Sequence, residues 1–238
     1  ELGKNNGPWE LADEMRKANG VVRYSQGDER NGFSITGMGY TANWNATDQI
    51  PMRAVRQGLI SRYGNIDSSD AGRTYRHTLS MDLLRSAGNH STRVTAYALR
   101  GRLNLFQNFT YFLEDPVNGD QVEQEGLRWM TGGKVVHRRL GRLGRFSTES
   151  AVGVSLRNDA VSTVGLYNTV RRMRTNTIRD DRVDQLRLGI FGQTDIEWTR
   201  YFRTTLGVRG DGYRYAVFAQ NPANSGAGTA GLVSPKLT

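Results

Sequence analysis

The sequence predicts an all-β chain: an antiparallel up-and-down transmembrane β-barrel in part, with about nine strands. Three observations carry this prediction. Apolar and polar residues alternate with period two over segments much longer than ordinary soluble strands. Short and long connections between those segments alternate along the chain. No segment approaches the ~20 consecutive apolar residues of a membrane helix, so helical spanning is excluded.

The clearest element is DQLRLGIFGQTDIEW, residues 184–198. Leu186, Leu188, Ile190, Thr194, Ile196 and Trp198 share one face; Arg187, Phe191, Gln193, Asp195 and Glu197 share the other. At ~3.3 Å per residue the segment spans roughly 45 Å, whereas soluble strands are usually about 5–6 residues. A barrel strand crosses a ~25 Å apolar band at a tilt, which takes ~9–11 residues, and often runs on beyond it. The oily face then meets lipid and the charged face meets a water-filled or plugged lumen. In the competing reading, a soluble β-protein with long twisted strands, Trp198 is a core residue.

In chain order, strands are expected at 18–26, 32–45, 73–86, 91–113, 122–138, 147–167, 182–199, 203–217 and 230–238. Val152, Val154 and Leu156 alternate with Gly153, Ser155 and Arg157; Leu206 and Val208 alternate with Gly207 and Arg209. Tyr97, Leu99, Leu103 and Leu105 keep one register. GFSITGMGYTANW changes phase, with Phe33 and Ile35 on one face and Met38, Tyr40 and Trp44 on the other, which predicts a bulge at its glycines. ELADEMRKA (10–18) has a short helical charge pattern that a loop or frayed turn explains as well.

The connections QGDERN, SAGNH, RLGRLGR and TRYFR are short; 46–72, VRRMRTNTIRD and AQNPANSGAGTA are long, and DPVNGDQ is of moderate length. Outer-membrane barrels have this arrangement, with tight periplasmic turns and longer outer loops. Trp198, Tyr201 and Phe202 lie beside a short turn, where an aromatic girdle belongs.

Composition narrows the function classes. The 238 residues contain no cysteine, which excludes disulfide frameworks, Cys-ligated zinc, iron–sulfur clusters and thiol catalysis. Net charge is +9, with 28 Arg against 4 Lys, which suits an anionic lipid, an acidic ligand or nucleic acid, or simply a solvated basic surface. Nucleic acid is set aside because the arginines are spread over turns, loops and lumen positions rather than interleaved with stacking aromatics on one face.

Chemistry-bearing motifs are scarce. His77, His90 and His137 lie in separate segments without metal-ligand spacing. TGGK (131–134) is too short for a phosphate loop. Asp195 and Glu197, about 7 Å apart on one face, are a conceivable acid/base pair, but ion pairing to lumen arginines such as Arg187 or Arg209 is the plainer expectation. The arginines of RRMRTNTIRDDR (171–182) fall in an expected outer loop, where they suit lipopolysaccharide phosphates, another anion or plain solvation. Asn118-Gly119 marks a hairpin tip, and turn chemistry accounts for Asp115 and Asp120 there.

Several runs resemble a known family. FQNFTYFLEDPVNGDQVEQ (106–124), WNATDQIPMRAVRQGLISRYG (44–64) and SPKL (234–237) after a Gly/Ala/Asn-rich loop are similar to the barrel of TonB-dependent outer-membrane receptors. NNGPWELADEMRKANGVVRYSQG (5–27) and VGLYNTVRRMR (164–174) fit the same barrel. The resemblance implies a 22-stranded barrel filled by an N-terminal plug that contacts the TonB complex, in a Gram-negative outer membrane. It implies import of a scarce small-molecule ligand, most often a ferric siderophore, with no cofactor and no covalent chemistry. The whole of 1–238 then reads as partial barrel, and the plug and the distal strands are expected in a longer chain. Ligand contacts are expected at the outer ends of strands and loops: Tyr111, Asp115, Asn118, Asp120, Arg171, Arg172 and Arg174. A passive porin or structural barrel, and less favourably an outer-membrane barrel enzyme, are the alternatives.

Overall fold

The computed structural model describes residues 1–238 and contains one antiparallel sheet. Its strands are β1 (Leu2–Asn5), β2 (Met15–Gly27), β3 (Gly32–Asn45), β4 (Ala71–Ala87), β5 (His90–Gln107), β6 (Val122–Leu143), β7 (Phe146–Val170), β8 (Met173–Thr199), β9 (Phe202–Phe218) and β10 (Gly226–Leu237). Each pairs with its sequence neighbours, and β1 does not pair with β10, so the sheet is open. The up-and-down antiparallel architecture is therefore as expected, with ten strands in place of about nine. The added strand, β1, has four residues, too few to display alternation.

The faces separate as the alternation requires. Cross-strand register places Leu83, Val94, Val135, Val154 and Ile190 in one row, and Met81, Ala96, Leu156 and Leu188 in the row beside it. Directly paired residues point to the same face, so this is one continuous apolar surface. It is not a core: Ile190, Leu188, Val154 and Val135 are 57%, 46%, 45% and 46% exposed. Only 19 of the 238 residues are buried, and buried polar side chains outnumber buried hydrophobic ones. A soluble domain of this length would bury an apolar core of its own; this sheet presents its apolar face outward.

Aromatic residues bound the apolar surface. Phe146 and Trp198 meet edge-to-face at 4.9 Å beside the short turns, and Trp129 lies under Arg100, 5.5 Å from the ring centre, towards the other end. Along β8 the outward positions run from Leu186 to Trp198, roughly 40 Å of strand, or about 28 Å in height at a 45° tilt, which matches a ~25 Å band. The one α-helix, α1 (Met52–Arg56), is far too short to cross a membrane.

Two sequence expectations are corrected. The phase change in β3 is not a bulge, because its register is unbroken from Gly32 to Asn43 with β2 and from Gly32 to Asn45 with β4. Gly37 and Gly39 continue the face of Phe33 and Ile35, and Met38, Tyr40 and Trp44 point the other way. Register shifts occur instead between β6 and β7 at Leu127/Arg128 and along the upper part of β7–β8. Second, the expected long loop after β7 is a tight turn, with Val170 paired to Met173 and β8 starting at Met173 rather than near 182. Above the apolar band both faces meet water, so the alternation that marks a strand fades although the hydrogen-bond ladder continues. Residues 10–14 are irregular, which fits the loop alternative for ELADEMRKA, and Met15–Ala18 is strand; a short helix forms at Met52–Arg56 after Pro51.

Candidate functional site

At the long-loop end, segment 46–70, segment 108–121 and the β7–β8 tip meet around Gln121. The backbone closes the first segment through Ala46 N donating to Asp70 O at 2.9 Å. Asp67 turns that segment's end by accepting from Ser69 N at 2.9 Å. Gln121 then donates through Nε2 to Ser69 Oγ (2.8 Å), Asp70 Oδ1 (3.0 Å) and Asp67 Oδ2 (3.3 Å). Its Oε1 accepts from Thr169 Oγ1 and from Arg172 N, both at 2.9 Å. Asn108 adds N–H to Asp48 Oδ2 (2.7 Å) and Nδ2 to Asp67 Oδ2 (3.0 Å). Gln121, Asn108, Thr169 and Asp70 are each 1% exposed.

Three carboxylates thus lie around two amides with no ion pair among them. Burial pushes the Asp70 carboxyl up to about 8; Gln121 opposes the rise, and Asp48 and Asp67 reinforce it. At neutral pH Asp70 therefore keeps its proton. No three His, Cys, Asp or Glu side chains have metal-binding geometry.

The expected ligand residues separate into engaged and free groups. Asp115 caps the turn, accepting from Val117 N (3.0 Å) and Asn118 N (2.9 Å), while Asn118 Nδ2 donates to Asp115 Oδ2 at 3.0 Å. The Asn118 N–H leads the interactions that hold the Asp115 carboxyl below its ordinary range. Asp120 accepts from the N–H groups of Leu113, Glu114 and Asp115; partial burial raises its carboxyl, but these donors bring it below its ordinary value. Tyr111 has φ +62° and accepts from Asp120 N at 2.7 Å; burial, with Asp48 and Asp70 nearby, raises its phenol. Arg172 Nε donates to Ser69 O at 2.6 Å and its Nη2 to Asn45 Oδ1 at 3.2 Å. Arg174 pairs with Glu123 (2.6 Å) and Glu125 (2.5 Å) and stacks 3.7 Å over Tyr167. Arg171 is exposed and its guanidinium has no hydrogen-bond or ion-pair partner.

Arg171 and Arg172 hold φ of +49° and +69°, the left-handed backbone of a tight hairpin turn, where Asn-Gly is the usual pair. Each costs about 1–2 kcal/mol in a non-glycine residue. The bonds from Arg172 to Ser69 and Gln121 offset that cost. None of Asp48, Asp67, Asp70, Asn108 or Gln121 stood out in the sequence, because their partners in the other segments are 41 to 60 positions away and no local spacing announces them.

The concave face carries the other charge network. Arg187 Nη2 lies 3.1 Å from Asp211 Oδ1, Arg209 Nε lies 2.6 Å from Asp211 Oδ2, and Arg209 Nη2 donates to Ser155 Oγ at 3.3 Å. The two arginines expected to neutralise Asp195 and Glu197 therefore serve Asp211. Asp195 instead accepts from Thr205 Oγ1 on β9. A hollow of about 600 Å³ on this face is lined by Arg93, Lys134, Arg138, Phe191 and Gln193 among others. The histidines, far apart in sequence, include one close pair: His90 Nδ1 and His137 Nε2 lie 3.2 Å apart on neighbouring strands.

No family model matches the chain, and no curated protein matches it. Solved structures do. The ferric citrate transporter FecA in its unliganded form matches with a TM-score of 0.76 at 12% identity over 94% of this chain and 33% of that one. The ferric-catecholate import receptor Fiu from E. coli K12, closed form, matches with 0.72 at 13% over 99% of this chain and 42% of that one. The siderophore receptor PiuA from Acinetobacter baumannii matches with 0.64 at 12% over 99% and 40%. The chain thus spans between a third and less than half the length of these receptors. Its fold is that of part of the barrel of TonB-dependent siderophore receptors.

Proposed function

We propose that residues 1–238 are one part of the barrel of an outer-membrane receptor that imports a ferric complex of a small organic chelator with energy from TonB. One observation carries the reading: the two-faced sheet superposes on barrels of receptors named for ferric citrate, ferric catecholates and siderophores. The outward apolar band supports a place in the outer membrane, and the solved neighbours are transport proteins rather than enzymes. The open edges at β1 and β10 support further strands in a longer protein, since lipid does not tolerate unpaired backbone. A plug within that longer protein would occupy the concave, charged face.

Ligand contact belongs at the long-loop end. Arg171 is the free cation among the three tip arginines, while Arg172 and Arg174 are engaged and Tyr111, Asp115, Asn118 and Asp120 shape the neighbouring loop. An anionic ferric complex suits this end.

The test is uptake of radiolabelled iron, as ferric citrate and as a ferric catecholate, by cells with the full-length receptor as their sole route. Uptake that disappears when TonB is deleted supports the proposal. Uptake that persists without TonB, scaling with external concentration, would establish the passive porin instead.

A further inference from the structure

We propose that Arg85, His90, His137 and Arg139 form a phosphate-binding site for the headgroup of an anionic glycerophospholipid, in the leaflet nearest the short turns. The proposal rests on the membrane reading above and adds a specific lipid site to it.

The register assembles the cluster. Arg85 pairs with Thr92 and Thr92 with His137; one row nearer the turns, His90 pairs with Arg139. Paired residues share a face, so side chains from β4, β5 and β6 converge on one patch about 10 Å wide. The row on the other side is Leu83, Val94, Val135 and Val154, part of the outward apolar surface. On β4–β6 the cluster therefore lies on the turn side of that apolar row, with His90 beside the β4–β5 turn, and the proposal places it at headgroup depth with acyl chains along the apolar row.

Charge complementarity identifies the occupant. Towards the long-loop end, Arg102 pairs with Glu125, Arg174 with Glu123 and Glu125, and Arg182 with Asp184. Arg85 and Arg139 are exposed and have no carboxylate within ion-pair distance. Two uncompensated guanidiniums on one patch suit a phosphate diester, which accepts paired N–H donors.

The histidines supply a third donor. His137 Nδ1 lies 2.9 Å from Thr92 Oγ1, and its Nε2 lies 3.2 Å from His90 Nδ1. Two neutral tautomer pairs fit these distances, and a phosphate acceptor beside His90 selects the one in which Thr92 O–H donates to His137 Nδ1 and His137 Nε2–H donates to His90 Nδ1. This assignment leaves His90 Nε2–H free to donate to the phosphate. Thr92 and His137 thereby orient His90.

The test uses the full-length receptor reconstituted in phosphatidylcholine nanodiscs doped with phosphatidylglycerol or cardiolipin, released and read by native mass spectrometry. The expected result is enrichment of the anionic lipid over phosphatidylcholine by about tenfold, two arginines at a membrane surface being sufficient for that. Arg85→Gln with Arg139→Gln should abolish it and His90→Gln should reduce it, heat-modifiable gel migration reporting that each variant is folded. Arg102→Gln, at the opposite end, should leave it intact. No enrichment in the parent protein, equal enrichment in the double variant, or complete displacement by millimolar inorganic phosphate would each overturn the site. Failure to enter nanodiscs of any composition would instead overturn the membrane reading on which the site rests.

Discussion

Gln121 donates to Asp70 across 3.0 Å, and both side chains are 1% exposed. This bond links the end of β4's preceding loop to the start of β6, and through Thr169 and Arg172 to the β7–β8 tip. Gln121→Ala would leave several buried partners unsatisfied at about 1–3 kcal/mol each. The expected outcome is local: amides of 46–70 and 169–174 lose hydrogen-exchange protection while the melting of the barrel shifts little. Equal loss of protection throughout the strands would refute this division.

Asp70 sets a pH dependence for the same region. Its ordinary value is 3.8 and its folded value about 8, so between the two the folded state binds the extra proton. Stability of the closed loop cluster therefore falls as pH rises from about 4 to about 8 and is flat above that. After correction for intrinsic exchange, protection in 46–70 should drop by about tenfold or more over this range. Asp70→Asn mimics the protonated form and should flatten the profile; an unchanged slope would contradict the assignment.

Ile190 and Phe191 are sequence neighbours on opposite faces. Ile190→Arg puts a charge in the lipid band and should cost about 2–4 kcal/mol. Phe191→Arg faces the hollow beside Lys134 and should cost far less. Denaturant unfolding of the full-length receptor in lipid vesicles checks the pair, and equal losses would mean that the outward face does not meet lipid.

Asp211 neutralises two arginines at once. Asp211→Asn leaves Arg187 and Arg209 facing each other; because both are about a third exposed, the loss should be measurable but well below that of a fully buried pair. The same unfolding assay measures it. Adding Arg187→Gln should recover part of the loss by removing the repulsion.

Arg171 is the free cation among the three tip arginines. Arg171→Gln should weaken uptake of an anionic ferric complex without loosening the tip, whereas Arg172→Gln should raise hydrogen exchange at 169–174. Unchanged uptake by a folded Arg171→Gln receptor would remove Arg171 from the ligand surface.

Within the apolar band, the sequence by itself determined strand identity, face and turn position. On the proposed membrane reading, alternation from Leu186 to Trp198 reflects lipid on one side and water on the other, and the ladders to β7 and β9 keep it unbroken as far as Glu197. Above the band that constraint ends, so Met173–Asp181 looked like a loop although the ladder continues through it. Only the tertiary structure decided which distant polar residues meet: Gln121 with Asp70, Arg209 and Arg187 with Asp211, His90 with His137. Backbone pairing across the sheet sets those encounters by register, and the surrounding sequence of each residue carries no trace of its partner.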